Sequence, residues 1–173
     1  MRLGFSAAFL CAVSGGIRAD LPPGFARTAI WLSPGGVSSI APLPGGRILA
    51  AALFGPITLL EDGQPSRALI NIPKVVTTDE HGVLGMAIDP AFEINGYFYV
   101  LYTGAGPYNL VARYTLANNQ VDPASRVVIW QNPGLCPGAS HQGGGINFGP
   151  DGNLYIATGD QFDVPGNAQS LGN

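Results

Sequence analysis

The chain has 173 residues, enough for one domain with a core of its own. Charged residues make up 11% of it and the net charge is −3, which gives no support to nucleic-acid binding, because that function favours basic patches. The 25 glycines and 15 prolines predict many turns, and 46% of hydrophobic residues argues against disorder. Many turns in an apolar sequence indicate a fold of short β-strands.

The first 19 residues have the pattern of a secretory signal peptide. Arg2 gives the positive start, Leu3 to Val13 form an apolar run, and small residues follow up to Ala19, after which we expect cleavage. A short buried strand is the alternative interpretation. The apolar run is shorter than the roughly 20 residues of a membrane anchor. The sequence therefore predicts a secreted or periplasmic protein without a membrane span.

Cysteine usage limits the metal chemistry of the chain. Cys11 would leave with the signal peptide, and Cys136 would then be free or paired with a cysteine outside this chain. The cysteines and histidines have no spacing that suits a metal cluster, so we predict no metal ligands of that type.

After a predicted strand at Arg27 to Leu32, one pattern recurs three times along the chain. Each copy is an apolar strand, a turn with proline and glycine, and a second apolar strand. The copies lie at Ser39 to Ala50, Gly85 to Val100 and Gly145 to Ile156. Their aligned prolines, spaced 46 and then 60 residues apart, are Pro44, Pro90 and Pro150. Such spacing is close to or above the roughly 40 to 50 residues of a β-propeller blade.

Further strands are predicted between the copies, at Ile57 to Glu61, Asn109 to Leu116 and Arg126 to Gln131. Four short strands per repeat fit a propeller blade, so the predicted class is all-β. Residues 20–173 correspond to about three blades, whereas a propeller closes with roughly 4–8. We therefore expect this chain to be the N-terminal, incomplete part of a longer propeller domain.

The third copy carries the first candidate for chemistry. His141 stands before a run of three glycines, and Asp160 ends the second strand of the same hairpin. Because the antiparallel return brings both ends to one rim, Asp160 is predicted to orient the imidazole, as a general base requires. The alternative is a loop histidine that satisfies a backbone carbonyl.

The second candidate is Glu80, which precedes the first strand of the second copy as His141 precedes that of the third. Equivalent positions of propeller blades face one central pocket, so Glu80 and His141 are predicted to converge. A solvated loop at Asp79 to His81 is the alternative. An Asp160 and Asp163 pair could also form part of a calcium loop, although such spacing is common.

These motifs resemble a known family. The run H-Q-G-G-G-I-N-F-G-P-D-G-N-L-Y-I-A-T-G-D at His141 to Asp160 resembles the signature of the glucose/sorbosone dehydrogenases, quinoproteins that use pyrroloquinoline quinone. E-H-G-V-L-G-M-A-I-D-P-A-F at Glu80 to Phe92 resembles a second motif of that family. The segments at Arg113 to Ser125 and Asn167 to Asn173 are also similar to it, so that the resemblance spans roughly Pro22 to Asn173.

The resemblance implies a six-bladed propeller that oxidises the anomeric hydroxyl of an aldose sugar with hydride transfer to pyrroloquinoline quinone. It implies that His141 is the catalytic base, that Asp160 orients it, and that Glu80 lies near substrate and cofactor. The family's Ca²⁺ ligands and the basic residues that hold the quinone lie mostly beyond Asn173. We therefore expect the fragment alone to be inactive and to bind the quinone weakly.

Two other functions remain open. One is a non-catalytic extracellular propeller that acts as a binding module, against which the presence of both His141 and Asp160 argues. The other is a calcium-dependent hydrolase of the lactonase kind, for which only Glu80 is well placed. The sequence does not identify the sugar or the electron acceptor.

Overall fold

The computed structural model describes residues 21–33, 36–106, 108–133, 138 and 140–160, and the chain divides into two units, residues 1–30 and 31–173. The predicted signal peptide, Cys136, Asp163 and the segment 167–173 lie outside the described residues. No helix in the described part is both long and apolar enough to cross a bilayer.

In the first unit the described residues 21–30 contain a turn, closed by the Phe25 N–H and the Pro22 carbonyl at 3.1 Å. The strand predicted at Arg27 to Leu32 is wrong, since no strand is formed there. Ile30 and Leu32 are 59% and 77% exposed. These apolar residues find no pairing strand among the described residues, and a strand is stable only with a partner and a buried face.

The second unit is almost entirely β-structure, as predicted. Its strands are β1 (Val37–Pro42), β2 (Ile48–Ala52), β3 (Pro56–Leu60), β4 (Arg67–Asn71), β5 (Val83–Ile88), β6 (Tyr97–Gly104), β7 (Tyr108–Ala117), β8 (Gln120–Val121), β9 (Val127–Gln131), β10 (Gly143–Phe148) and β11 (Leu154–Thr158). A four-residue helix, α1, spans Phe92–Asn95, and 3₁₀ turns span Pro44–Gly46 and Pro123–Ser125.

Three antiparallel sheets follow one another along the chain. The first has the order β1-β2-β3-β4, and the second has the order β5-β6-β7, with β9 beside β7 and the short β8 paired to the end of β7. The third is the hairpin β10-β11. An up-and-down sheet of four strands is the unit of a β-propeller. The described part thus contains two blades and the first hairpin of a third, and no sheet in it closes into a ring.

The predicted repeat is confirmed by a detail of strand pairing. The first strand of each copy carries a bulge one residue after its start, and the inserted residues are Ser38, Leu84 and Gly144. A bulge bends a strand and re-aims the side chains near it. Its recurrence at three equivalent positions shows that the three hairpins are built alike.

The turns of the hairpins differ in length. The first uses Gly45 and Gly46, with φ of 77° and 75°, and the third uses Gly152, with φ of 79°. The second turn is longer and contains α1. Asp89 stabilises the entry to α1, because its Oδ1 accepts the Ala91 backbone N–H at 2.9 Å.

The core lies within and between the first two sheets, where Leu49 and Ile57 pack with Phe98, Tyr102 and other buried residues. The rings of Phe98 and Tyr114 stack at 5.6 Å. Strand β5 packs against β1 on one side and β10 on the other. This arrangement brings the starts of the first strands to a common rim, which we call the entry rim: residues 78–83 and 140–143, with the strand end 158–160.

Candidate active site at the entry rim

His141 begins the third hairpin in an uncommon backbone conformation. Its φ is 59°, in the left-handed region that few residues other than glycine occupy. The segment after β11 lies so close to His141 that a Cβ on Gly159 would be 1.7 Å from the His141 carbonyl oxygen. A Cβ on Gly143 would likewise lie 2.6 Å from the Gly159 nitrogen. The glycines around the histidine therefore allow the two ends of the hairpin to touch.

Asp160 lies beside the imidazole of His141, as the hairpin return predicted. The Nδ1 atom of His141 is 2.9 Å from Oδ1 of Asp160. The two side chains are 51% and 31% exposed. When the ring is neutral, this contact favours the tautomer in which Nδ1 carries the proton and Nε2 carries the lone pair. The exposed imidazole is thus arranged to take a proton at Nε2, with a carboxylate to stabilise the imidazolium.

Glu80 reaches His141 from the neighbouring blade. Its Oε2 atom accepts the backbone N–H of His141 at 2.5 Å. The structure therefore brings Glu80, His141 and Asp160 together. The contact of Glu80 is with the main chain of the histidine, so that this carboxylate fixes the backbone at the residue whose φ is positive.

The bulge register shows that His81, and not Glu80, stands at the position equivalent to His141. Val83 and Gly143 both begin their strands one residue before the bulge. His81 is 4% exposed, and its Nδ1 lies 2.9 Å from the Thr78 carbonyl oxygen. The second blade thus uses this position for loop packing, whereas the third blade presents it to solvent.

Three buried polar residues beneath the entry rim were not predicted from the sequence. Thr103, Asn109 and Gln142 are 0%, 0% and 1% exposed. Thr103 Oγ1 donates to Asn109 Oδ1 at 2.9 Å, and Asn109 Nδ2 lies 3.5 Å from Gln142 Oε1. The available sequence signal is a polar residue near the facing ends of strands β6 and β7.

In the part of the chain that the structure describes, no group of three or more His, Cys, Asp or Glu side chains is placed to hold a metal ion. The calcium loop considered for Asp160 depends on Asp163, which is outside that part. The carboxylates of Glu80 and Asp160 both contact His141. A quinone with three carboxylates requires cations, so these acidic residues do not by themselves fit such a cofactor.

A cleft of about 610 Å³ lies at the other end of the strands, on the side of the turns. Arg47, Phe92, Gly96 and Asn119 are among the residues that line it, and it contains none of the predicted site residues. We place the candidate site at the entry rim, because there the exposed imidazole of His141 contacts the Asp160 carboxylate and the Glu80 carboxylate accepts the His141 backbone N–H.

Comparison with known proteins identifies the family of the chain. A model of the family Glucose / Sorbosone dehydrogenase matches residues 36–173. The chain is 29% identical over 106 residues to quinoprotein glucose dehydrogenase B of Acinetobacter calcoaceticus, covering 55% of this chain and 22% of that protein. It is 37% identical over 94 residues to the mouse Hedgehog-interacting protein, covering 47% of this chain and 13% of that protein.

Among solved structures, the PQQ-bound aldose sugar dehydrogenase of Streptomyces coelicolor superposes with a TM-score of 0.71 and 26% sequence identity. The match covers 79% of this chain and 41% of that one. The chain therefore spans less than half of that structure, and a smaller share of the two matched proteins above.

Proposed function

Because the chain belongs to the glucose/sorbosone dehydrogenase family, we propose that it supplies the proton-accepting part of an active site that oxidises an aldose sugar. The observation that carries this proposal is the His141 and Asp160 pair, with 2.9 Å between Nδ1 and Oδ1 at an exposed rim. An imidazole oriented in this way by a carboxylate is suited to general base catalysis.

In this proposal the anomeric hydroxyl of the sugar lies against Nε2 of His141. The ring takes the hydroxyl proton, and Asp160 stabilises the positive charge that forms on the imidazole. Glu80 contributes by holding the His141 backbone. Because Glu80 is exposed beside His141, it would also lie near the substrate. Positioning of this kind lowers the barrier because the base is held in its reactive geometry before the sugar binds.

The oxidant in the proposal is pyrroloquinoline quinone, which would supply a hydride acceptor. Support for it comes from the relatives, since one is named a quinoprotein and one solved structure is PQQ-bound. Glu80 and Asp160 are acidic, and the described residues contain no group of three or more His, Cys, Asp or Glu side chains placed to hold a metal ion, so we propose that the counter-charges and the Ca²⁺ ligands come from other parts of the complete protein. We also propose a secreted or periplasmic location, which rests on the signal-peptide pattern of residues 1–19.

The proposal is tested by dye-linked oxidation of a panel of aldoses by the complete natural protein, supplied with quinone and calcium. We expect oxidation of at least one aldose, and a loss of about 10²- to 10⁴-fold in His141→Gln, the usual contribution of a general base. Asp151→Asn is the matched control, because Asp151 lies in the turn at the far end of the same hairpin. Failure of every aldose to react with the loaded wild-type protein would refute the proposal.

A second candidate is a binding module without catalysis. It is favoured by the 37% identity to the Hedgehog-interacting protein, whose name describes an interaction rather than a reaction. Under this alternative the loaded protein would oxidise no sugar. Substitution of His141 would then affect the binding of a partner protein or would have no effect.

A further inference from the structure

We propose that Thr103 and Asn109 of the second blade, with Gln142 of the third, are positioning residues that hold His141 and Asp160 of the third blade in register. The effect of these residues on catalysis rests on the proposed function. Their structural role rests on the geometry of a buried chain of hydrogen bonds. All three residues are neutral and almost completely buried. Buried polar groups of this kind specify geometry, because their hydrogen bonds must be satisfied inside the protein.

The chain of contacts begins in the second blade. Thr103 on β6 and Asn109 on β7 face each other in the strand pairing. The Thr103 hydroxyl donates to Asn109 Oδ1 at 2.9 Å, which fixes the orientation of the amide. The amide nitrogen of Asn109 then points into the third blade.

Gln142, the residue after His141, provides the oxygen atoms that face this nitrogen. Asn109 Nδ2 lies 3.4 Å from the Gln142 backbone carbonyl oxygen and 3.5 Å from its Oε1. The same backbone carbonyl accepts the Gly159 N–H at 3.2 Å. Gln142 is the neighbour of His141, and Gly159 is the neighbour of Asp160. One carbonyl oxygen therefore ties together the chain segments that carry the imidazole and the carboxylate.

The Gln142 side chain also contacts two backbone carbonyls just before His141. Its Nε2 donates to the Gly138 carbonyl at 2.5 Å and lies 3.4 Å from the Ser140 carbonyl. These carbonyls accept a hydrogen from an amide but repel a carboxylate. An apolar core residue at position 142 would fill the space without making these contacts, so the glutamine amide suits a role in positioning.

A conservative pair of substitutions separates positioning from packing. Thr103→Val keeps the volume and removes the hydroxyl, whereas Thr103→Ser keeps the hydroxyl. Thr58→Val makes the same change at a buried threonine of the first blade and serves as a control. Gln142→Met is a second variant, which removes all three contacts of the side-chain amide and keeps a side chain of similar length.

Two readouts on the complete natural protein test the assignment. The first is the ¹⁵N chemical shifts of the His141 ring, assigned by comparison with His141→Gln, which report the tautomer held by Asp160. The second is sugar oxidation in the loaded enzyme. For Thr103→Val and Gln142→Met we expect loss of the single Nδ1-protonated tautomer and a kcat about tenfold lower, with KM changed less than twofold. Thr103→Ser and Thr58→Val should stay within twofold of the wild type in both constants.

The outcomes distinguish this assignment from the proposed function. If the ring signals change as expected while the wild type oxidises no sugar, the positioning network stands and the proposed function fails. If folded Thr103→Val and Gln142→Met both retain the wild-type ring signals and kcat, the positioning assignment is wrong. A fall in kcat in Thr58→Val equal to that in Thr103→Val would also overturn it, because general loosening of the fold would then explain both.

Discussion

Oε2 of Glu80 accepts the backbone N–H of His141 at 2.5 Å, so that a side chain from the second blade fixes the residue that opens the third. The histidine is held at two points, since Asp160 contacts its ring from the same hairpin. A backbone with φ of 59° persists only where its surroundings hold it. The Glu80 contact is one such constraint.

The first prediction concerns this contact. Glu80→Gln keeps an oxygen that accepts the His141 N–H, whereas Glu80→Ala removes it. We expect kcat for sugar oxidation to fall about tenfold in Glu80→Ala and to stay within about threefold in Glu80→Gln, in line with the usual worth of a hydrogen bond to a charged group. If both variants lose activity equally, the charge of Glu80 and not its contact with the backbone is what matters.

The second prediction concerns the close approach of the hairpin ends. Gly159→Ala places a Cβ 1.7 Å from the His141 carbonyl oxygen, so backbone must shift. We expect a loss of stability of about 2 kcal/mol or more in denaturant unfolding, together with altered ¹⁵N signals of the His141 ring. In the control Gly145→Ala the nearest contact is 3.2 Å, to the Cβ of Ala157, and the loss should be under about 1 kcal/mol. Equal stability of the two variants would contradict the close approach.

The third prediction concerns the pH dependence of stability at the second hairpin turn. Burial, and then the hydrogen bond to Asp89, raise the pKa of Tyr99 to about 12. Because the raised pKa favours the neutral phenol in the folded state, this contribution to stability is complete below about pH 10 and is lost as the pH rises toward 12. The Tyr99→Phe variant should lose less stability over that interval, as measured by urea unfolding. The same alkaline loss in wild type and variant would show that Tyr99 is not its source.

At acid pH, on the acid limb of the stability curve, stability changes with pH in the opposite direction. Burial tends to raise the pKa of Asp89, but hydrogen bonds from Asn95, the Ala91 N–H and Tyr99 outweigh it and lower that pKa. Its stabilisation is therefore present above the ordinary value of 3.8 and is lost as the pH falls below it. In the same urea experiments Asp89→Asn should flatten this acid limb, and an unchanged limb would contradict the assignment.

The fourth prediction concerns the cofactor. Residues 20–173 carry an excess of acidic groups, and Glu80 and Asp160 place two carboxylates at His141, so this chain should bind pyrroloquinoline quinone weakly. In a calorimetric titration with quinone and calcium, the Kd should not be lower than about 10 μM, which corresponds to a binding free energy of roughly −7 kcal/mol. The complete natural protein is the positive control. Tight binding by the fragment would mean that its own residues hold the quinone.

The sequence was sufficient to predict the hairpins, because their turns depend on local chemistry. The residues Pro-Gly-Gly and Pro-Asp-Gly specify turns, and alternate apolar residues specify the strands beside them. The proximity of His141 and Asp160 followed from the antiparallel return, which needs no knowledge of the rest of the fold. Their catalytic roles stay predictions until activity is measured.

Other features depend on contacts between distant segments and were beyond local reasoning. Arg27 to Leu32 has strand-forming residues, but no described strand pairs with it. The network of Thr103, Asn109 and Gln142 joins Asn109 to a residue 33 positions further along the chain through buried amides. Nothing near Asn109 in the sequence indicates that its partner is the residue next to His141. The bulge register was also needed to show that His81 is the equivalent of His141 in the second blade.

The central claim is that His141 is the base of a sugar dehydrogenase. Its most direct test is a single-turnover measurement on the complete natural protein, with quinone occupancy determined by absorbance before sugar is added. At equal occupancy we predict that His141→Gln reduces the quinone about 10²- to 10⁴-fold more slowly than wild type, while Asp151→Asn reduces it at the wild-type rate. A His141→Gln rate within twofold of wild type at equal occupancy would contradict the account.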